Sequence, residues 1–172
     1  MNTIQKATVN LFVVFAILCF GNWNLSAQSM ELERIAAMLK DVDRFYLTTF
    51  QDNQVKQIEL NVSHFLFDKT SILFSVIQTD FSTDLQKETV YRFNLEDIEK
   101  IILKKTTPSN LKEPIFTINL VATNQQKRFL KNRKNVNYVP IVLPDRSLAI
   151  TLTQYFEEAL QAYQTQVVIA NR

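Results

Sequence analysis

Hydrophobic residues recur along this chain with two different periods, and the changes of period divide it into elements. From Ser29 onward, apolar residues follow one another at steps of three and four, which is typical of an amphipathic helix. The positions are Leu32, Ile35, Ala36, Leu39 and Val42. Glu31 and Glu33 lie in the first turn, where the helix dipole favours negative charge. The pattern therefore predicts an N-terminal helix.

Apolar and polar residues then alternate, as they do in half-buried β-strands. Two alternating segments, 58–66 and 72–76, flank Asp68-Lys69 and predict a hairpin. Five more strands are predicted at 89–95, 101–103, 116–122, around Phe129, and at 136–143. Because helices do not alternate with these strands, the order predicts an α+β fold with an antiparallel sheet or roll of about seven strands.

A second amphipathic helix is predicted at the C-terminal end. Ser147 is a suitable N-cap residue, and one apolar stripe follows it at helical spacing. The stripe consists of Leu148, Leu152, Tyr155, Phe156, Ala159, Leu160 and Tyr163. A stripe of this width normally faces its own core, so we expect the helix to cap the curved sheet rather than to bind a partner.

The first 27 residues have the layout of a cleavable secretory signal. Lys6 precedes an apolar run over 11–20, and Leu25-Ser26-Ala27 provides small residues for the peptidase. A membrane span needs about 20 apolar residues, and this run has ten. We expect cleavage after Ala27 and export to the periplasm or beyond. Lipidation at Cys19 is the alternative, but Leu18 is bulkier than the residue that usually precedes a lipidated cysteine.

Residues 28–172 form one predicted domain of 145 residues without glycine or cysteine. In the absence of glycine, Asn and Asp are the residues that best tolerate left-handed backbone. Turns are predicted at Asp52-Asn53, Ser109-Asn110, Asn124-Gln125 and 132–137. Pro140 lies inside an apolar segment, which predicts an edge strand or the start of a strand.

The composition excludes several common chemistries. Phosphate-cradling loops need glycine, and thiol and soft-metal sites need cysteine. His64, the only histidine, is in phase with Ile58 and Val62, which predicts a buried or half-buried structural side chain. We therefore expect no cofactor, no metal and no catalytic residue.

Two acidic clusters, Asp41-x-Asp43 and Glu96-Asp97-x-Glu99, lack the pattern of a calcium loop. We interpret them as helix caps or solvated faces.

The order of elements resembles the pleckstrin-homology-like (PH-like) fold, in which antiparallel strands are closed by one C-terminal helix. The segment 91–98, Tyr-Arg-Phe-Asn-Leu-Glu-Asp-Ile, looks like the strand followed by Asp-Ile in the PH and GRAM branches. Residues 144–156 are similar to the start of the capping helix. The resemblance covers about residues 55–165, and the N-terminal helix is an addition to it.

The resemblance implies a binding module but does not identify its ligand, because PH-like folds bind lipid headgroups, peptides and proteins. Phosphoinositide-binding members gather basic residues at the first hairpin. The corresponding turn here, 67–71, has one lysine, Lys69, beside Asp68. A phosphoinositide headgroup site is therefore not expected.

Charge is distributed unevenly along the chain. Residues 28–99 contain seven basic and thirteen acidic residues, whereas 100–172 contain eleven basic and four acidic ones. The densest basic segment has two interpretations. Its cations are Lys127, Arg128, Lys131, Arg133 and Lys134. One interpretation is a surface for an anionic partner. The other, which we favour, is an ordinary solvated strand and loop with Phe129 or Leu130 facing the core.

Three hypotheses on function follow. The first is an exported, non-enzymatic binding module that contacts a protein or an envelope component, with anionic lipid or a polyanion as the chemistry of contact. The second is a small carrier of lipids or other hydrophobic ligands. The third is a carboxylate-dependent hydrolase, which would need Asp43, Glu96 or Asp97 in one cleft. Nucleic acid is not expected as a partner, and the oligomeric state is left open.

Overall fold

The structure, a computed structural model, describes residues 29–42, 44–51, 54–107, 114–126 and 128–170. The predicted signal segment 1–27 lies outside them. Helix α1 runs through residues 29–40. The elements that follow are β1 Phe45–Gln51, β2 Gln54–Asp68, β3 Ser71–Asp80, β4 Leu85–Asn94, β5 Ile98–Thr106, β6 Ile115–Ala122, β7 Phe129–Lys131, β8 Lys134–Val136, β9 Tyr138–Leu143 and α2 Arg146–Ala170.

The strands form two antiparallel sheets. The large sheet has the order β1-β2-β3-β4-β7-β8, and the small sheet has the order β5-β6-β9. Strands β1 to β4 follow one another as a meander, after which the β7–β8 hairpin returns to the free edge of β4. The predicted α+β class, the antiparallel pairing and both terminal helices are confirmed.

The described part of the chain has nine strands where about seven were predicted. Strand β1 was missed because Tyr46, an apolar aromatic residue, lies exposed between Phe45 and Leu47 and hides the alternation. The predicted strand 136–143 is divided by a bend at Asn137, so that β8 joins the large sheet and β9 joins the small one.

One hydrophobic cluster joins the inner faces of both sheets to the two helices. Helix α1 contributes Leu32, Ile35 and Leu39, all fully buried. Helix α2 contacts β5, β6 and β9 and buries residues of the predicted stripe, among them Leu152 and Phe156. The C-terminal helix therefore packs against the sheets, as predicted.

Helix α2 begins earlier than predicted. The Asp145 carboxylate accepts a 2.7 Å hydrogen bond from the backbone N–H of Leu148, which is the geometry of an N-cap side chain. The prediction that Ser147 caps this helix is therefore wrong. Both residues are suitable caps by type, and the end of β9 at Leu143 leaves Asp145 at the point where the chain turns into the helix.

A β-bulge in β2 changes which residues face the core. The register against β3 shifts between Val62 and His64, so that Ser63 is the extra residue. Val62 is the last residue that faces the core before the bulge, and Phe65 is the first that does so after it. His64 is therefore exposed. The prediction of a buried or half-buried histidine is wrong, because it assumed uninterrupted alternation along the strand.

Asparagine supplies two of the predicted left-handed turns. Asn124 has a φ of 54° and Asn132 a φ of 46°. Pro140 lies on β9, an edge strand of the small sheet, as predicted from its missing N–H group. The predicted turns at Asp52-Asn53 and Ser109-Asn110 lie outside the described residues.

Candidate anion-binding surface

The side chains of β4 alternate between the two faces of the large sheet. Tyr91 and Phe93 are buried on the inner face, whereas Arg92 is exposed on the outer face. Strand β7 pairs with β4, and its register places Leu130 opposite Arg92 and Lys131 opposite Tyr91. The pairing therefore divides the basic segment between two faces, since neighbouring residues of a strand point to opposite sides.

The β7–β8 turn is held against β4 by hydrogen bonds from Asn132. Its backbone N–H donates to the Val90 carbonyl oxygen at 2.9 Å, and its side-chain oxygen accepts from the Val90 N–H at 2.8 Å. The side-chain amide also donates to the Glu88 carbonyl oxygen at 3.4 Å. Asn132 and Arg133 both have positive φ values, 46° and 69°, so the turn is tight and its position beside β4 is defined.

These contacts form a cleft of about 420 Å³ on the outer face of the large sheet. We call it the outer cleft. It is lined by Val90, Arg92, Leu130, Asn132 and Arg133. None of these residues carries a carboxylate. The outer cleft thus combines two guanidinium groups with two apolar side chains, and guanidinium groups bind carboxylates or phosphates in bidentate geometry.

The five cations predicted to form one surface do not share one environment. Arg128 contacts Asp97, with 3.2 Å between Nη1 and Oδ1, and Arg133 lines the outer cleft. Lys131 lies over the Tyr91 ring, with Nζ 5.7 Å from its centroid. Lys134 is exposed at the start of β8, opposite Lys131. Lys127 lies outside the described residues.

A second cleft, of about 190 Å³, lies on the inner face of the large sheet beside β9. We call it the inner cleft. Lys131 and Lys87 line it together with Tyr91. Burial raises the pKa of Tyr91, and nearby Tyr138 adds to this effect. The phenol is therefore neutral at physiological pH, and the charge of the inner cleft comes from its lysines.

The carboxylates considered for hydrolysis have structural partners. Glu96 accepts a 3.0 Å hydrogen bond from the Tyr163 hydroxyl of α2, while Asp97 binds Arg128. Glu99 accepts a hydrogen bond from the backbone N–H of Asn124 at 2.5 Å. These contacts join the turn before β5 to α2 and to the segment before β7. Asp43 lies outside the described residues.

His64 stands apart from these carboxylates. Its Nδ1 lies 3.1 Å from the Ser63 hydroxyl and 3.3 Å from the Ser75 hydroxyl. Within the described ranges, no group of three or more His, Cys, Asp or Glu side chains is arranged to hold a metal ion. The described helices include none that is both long and apolar enough to cross a bilayer.

Sequence reasoning missed Arg92 as a partner of the basic segment. Arg92 lies on a strand that was predicted, and alternation with Tyr91 and Phe93 would place it on the polar face. What the pattern did not contain was the pairing of β4 with β7. Comparison with family models, with curated proteins and with solved structures found no match to this chain.

Proposed function

We propose that this protein is an exported, non-enzymatic binding module that contacts an acidic protein segment of the cell envelope through the outer cleft. The observation that carries the proposal is the pair Arg92 and Arg133, brought into one cleft that no carboxylate of the described residues lines. A bidentate contact between a guanidinium and a carboxylate contributes both affinity and orientation. Val90 and Leu130 add apolar surface between the charges.

The concave shape favours a protein segment over a flat bilayer. Leu130, which is 38% exposed, lines this cleft, and an extended segment can follow a concave surface that a flat bilayer cannot. An extended segment that alternates acidic and apolar residues can place carboxylates on both arginines and an apolar side chain against Leu130.

The order of elements supports a PH-like module as part of the proposal. A run of antiparallel strands closed by one C-terminal amphipathic helix is what the resemblance implies, and the described elements follow this order. In chain order, the β7–β8 hairpin lies between β6 and β9 of the small sheet, and it is an addition to that fold. The non-enzymatic assignment is supported by Glu96 and Asp97, which bind Tyr163 and Arg128.

The test of binding uses a short fluorescein-labelled peptide in which glutamate alternates with leucine. Fluorescence anisotropy with the protein comprising residues 28–172 should show binding at a salt concentration of about 0.15 M, where distant charges are largely screened. The double variant R92Q/R133Q should bind at least about tenfold more weakly, since hydrogen bonds to charged groups contribute about 1.5–3 kcal/mol each.

The matched control is K40Q/R146Q, which removes the same charge from two exposed residues that do not line the outer cleft. An equal loss of affinity in both double variants would show that net charge alone attracts the peptide. Binding to phosphatidylglycerol vesicles but not to the peptide would identify a membrane as the partner. Failure to bind either probe would refute the proposed function.

Export is tested separately by the intact mass of the protein recovered from its native host. We expect a chain that begins at Gln28, and we expect A27L to block cleavage because a bulky residue does not fit the peptidase. A chain that retains residues 1–27, or one that carries a lipid on Cys19, would contradict the proposed export route.

A further inference from the structure

The inner cleft lies on the opposite face of the large sheet from the outer cleft. Its floor is formed by cross-strand rows of the meander. One row runs from Phe45 through Leu60 and Gln78 to Lys87. The next consists of Val62, Val76 and Thr89. Pro140 and Val142 of β9 form part of the opposite wall.

Apolar and cationic groups occupy different ends of this floor. Phe45, Leu60 and Val62 lie on β1 and β2, whereas Lys87 lies on β4 and Lys131 on β7. Neighbouring strands are about 4.8 Å apart, so the three spacings from β1 to β4 span about 14 Å. The inner cleft therefore has an apolar end and a cationic end within the length of a small amphiphile.

No carboxylate in the described part of the chain pairs with the cations of the inner cleft. None of the residues that line it is acidic, and the ion pairs found in the described part of the chain involve neither Lys87 nor Lys131. Lys131 contacts the face of Tyr91 instead, and its ammonium has three N–H donors, more than one ring face engages.

We propose that the inner cleft binds a single-chain amphiphile with one anionic head group, of the fatty-acid class. The carboxylate lies between Lys87 and Lys131, and the chain crosses the floor over Val76 toward Leu60 and Phe45. Pro140 and Val142 cover part of the chain. The volume of about 190 Å³ suits a short or medium chain.

This site is independent of the proposed function, because alternation on β4 and β7 separates the two clefts. Arg92 and Leu130 line the outer cleft, and their neighbours Tyr91 and Lys131 line the inner one. Neutralising the cations of one cleft leaves those of the other in place. The double variants R92Q/R133Q and K87Q/K131Q therefore serve as controls for each other.

The test is a titration of the ¹⁵N-labelled protein, residues 28–172, with sodium octanoate, followed by amide chemical shifts. We expect the amides of Val76 and Thr89 to shift with saturation. K87Q/K131Q should weaken binding about tenfold, R92Q/R133Q should leave it unchanged, and V76F should abolish it by filling the floor. Both lysines are exposed, so K87Q/K131Q tests the proposal even if V76F does not fold.

Two further probes separate the head group from the chain. Acetate carries the carboxylate alone, and 1-octanol carries the chain without charge. Octanoate should bind more tightly than either, because only octanoate uses both ends of the cleft. Equal binding of acetate or of 1-octanol, an unchanged affinity in K87Q/K131Q, or an absence of octanoate shifts would each overturn the proposal.

Discussion

The ring of Phe156 on α2 meets the ring of Phe65 on β2 edge-on, with 6.1 Å between their centroids and an interplanar angle of 73°. Phe65 is the first inward-facing residue after the bulge at Ser63. The bulge therefore directs the strand toward the helix that closes the fold. Without the extra residue, Phe65 would face outward and α2 would lose this contact.

The variant F156A should lower the free energy of unfolding by about 3–5 kcal/mol, because truncating a buried phenylalanine leaves a cavity. Phe156 is fully buried. Urea unfolding of residues 28–172 provides the measurement. I150A is the control on the same helix, since Ile150 is 38% exposed and its truncation should cost much less. Equal losses in the two variants would contradict the described packing of α2.

Asp145 and Ser147 offer a direct comparison of two cap residues. D145A should destabilise the protein by about 0.5–2 kcal/mol, because it removes the acceptor for the Leu148 N–H. S147A should have little effect, since its side chain lies inside the first turn. Thermal unfolding of both variants tests this expectation. A larger loss of stability in S147A than in D145A would show that Ser147 is the N-cap residue, as the sequence predicted.

Substitutions of Arg128 and Arg133 should affect different properties: the first should affect stability and the second peptide binding. R128Q removes the contact with Asp97, a partly exposed ion pair, and should lower stability by at most about 1 kcal/mol. It should leave the affinity for the acidic peptide nearly unchanged. R133Q should weaken binding of the acidic peptide and leave the stability nearly unchanged, because Arg133 lines the outer cleft. Urea unfolding and fluorescence anisotropy on the same preparations provide the measurements. Weaker peptide binding in R128Q, or unchanged binding in R133Q, would contradict the prediction.

The contact between Tyr163 and Glu96 should make stability depend on alkaline pH. Partial burial raises the pKa of Tyr163, and its hydrogen bond to Glu96 and the charges of Glu96 and Asp97 raise it further. The hydroxyl must be protonated to donate. The stabilisation is therefore complete below the ordinary tyrosine pKa of about 10 and is lost as the pH rises through the pKa of the folded state.

The measurement is the urea midpoint between about pH 8 and about pH 11, across the ordinary pKa of tyrosine. Y163F should be less stable than the parent protein at the lower pH, and the difference should shrink toward the higher pH. E96Q keeps an acceptor without the negative charge, so the loss should be smaller in E96Q than in the parent. A constant difference between Y163F and the parent across this range would contradict the assignment.

Local periodicity was sufficient to predict the elements that bury one regular face. The strand predicted at 116–122 is β6, and the stripe around Leu152 and Phe156 is the buried side of α2. Because residues 28–172 contain no glycine, turns were also predicted at asparagines, and Asn124 and Asn132 both have a positive φ. The strand and helix predictions succeed because burial repeats every two residues in a strand and every three or four in a helix. The turn predictions succeed because asparagine tolerates a positive φ.

The irregularities were not contained in that periodicity. A bulge at Ser63 reverses the phase of β2, and nothing in the types of the neighbouring residues marks it. The bend at Asn137 likewise divides one apolar segment between two sheets. In both cases the geometry depends on which strand lies alongside, and that partner is a property of the folded chain.

The sequence by itself determined the α+β class, both terminal helices and the basic character of the segment near residue 130. Only the tertiary structure decided which cations act together. Val90 and Asn132, 42 positions apart, are joined by hydrogen bonds across β4 and the β7–β8 turn. That pairing brings Arg133 beside Arg92 and turns Lys131 to the opposite face, because strand register, set by long-range packing, assigns each side chain to one side of the sheet.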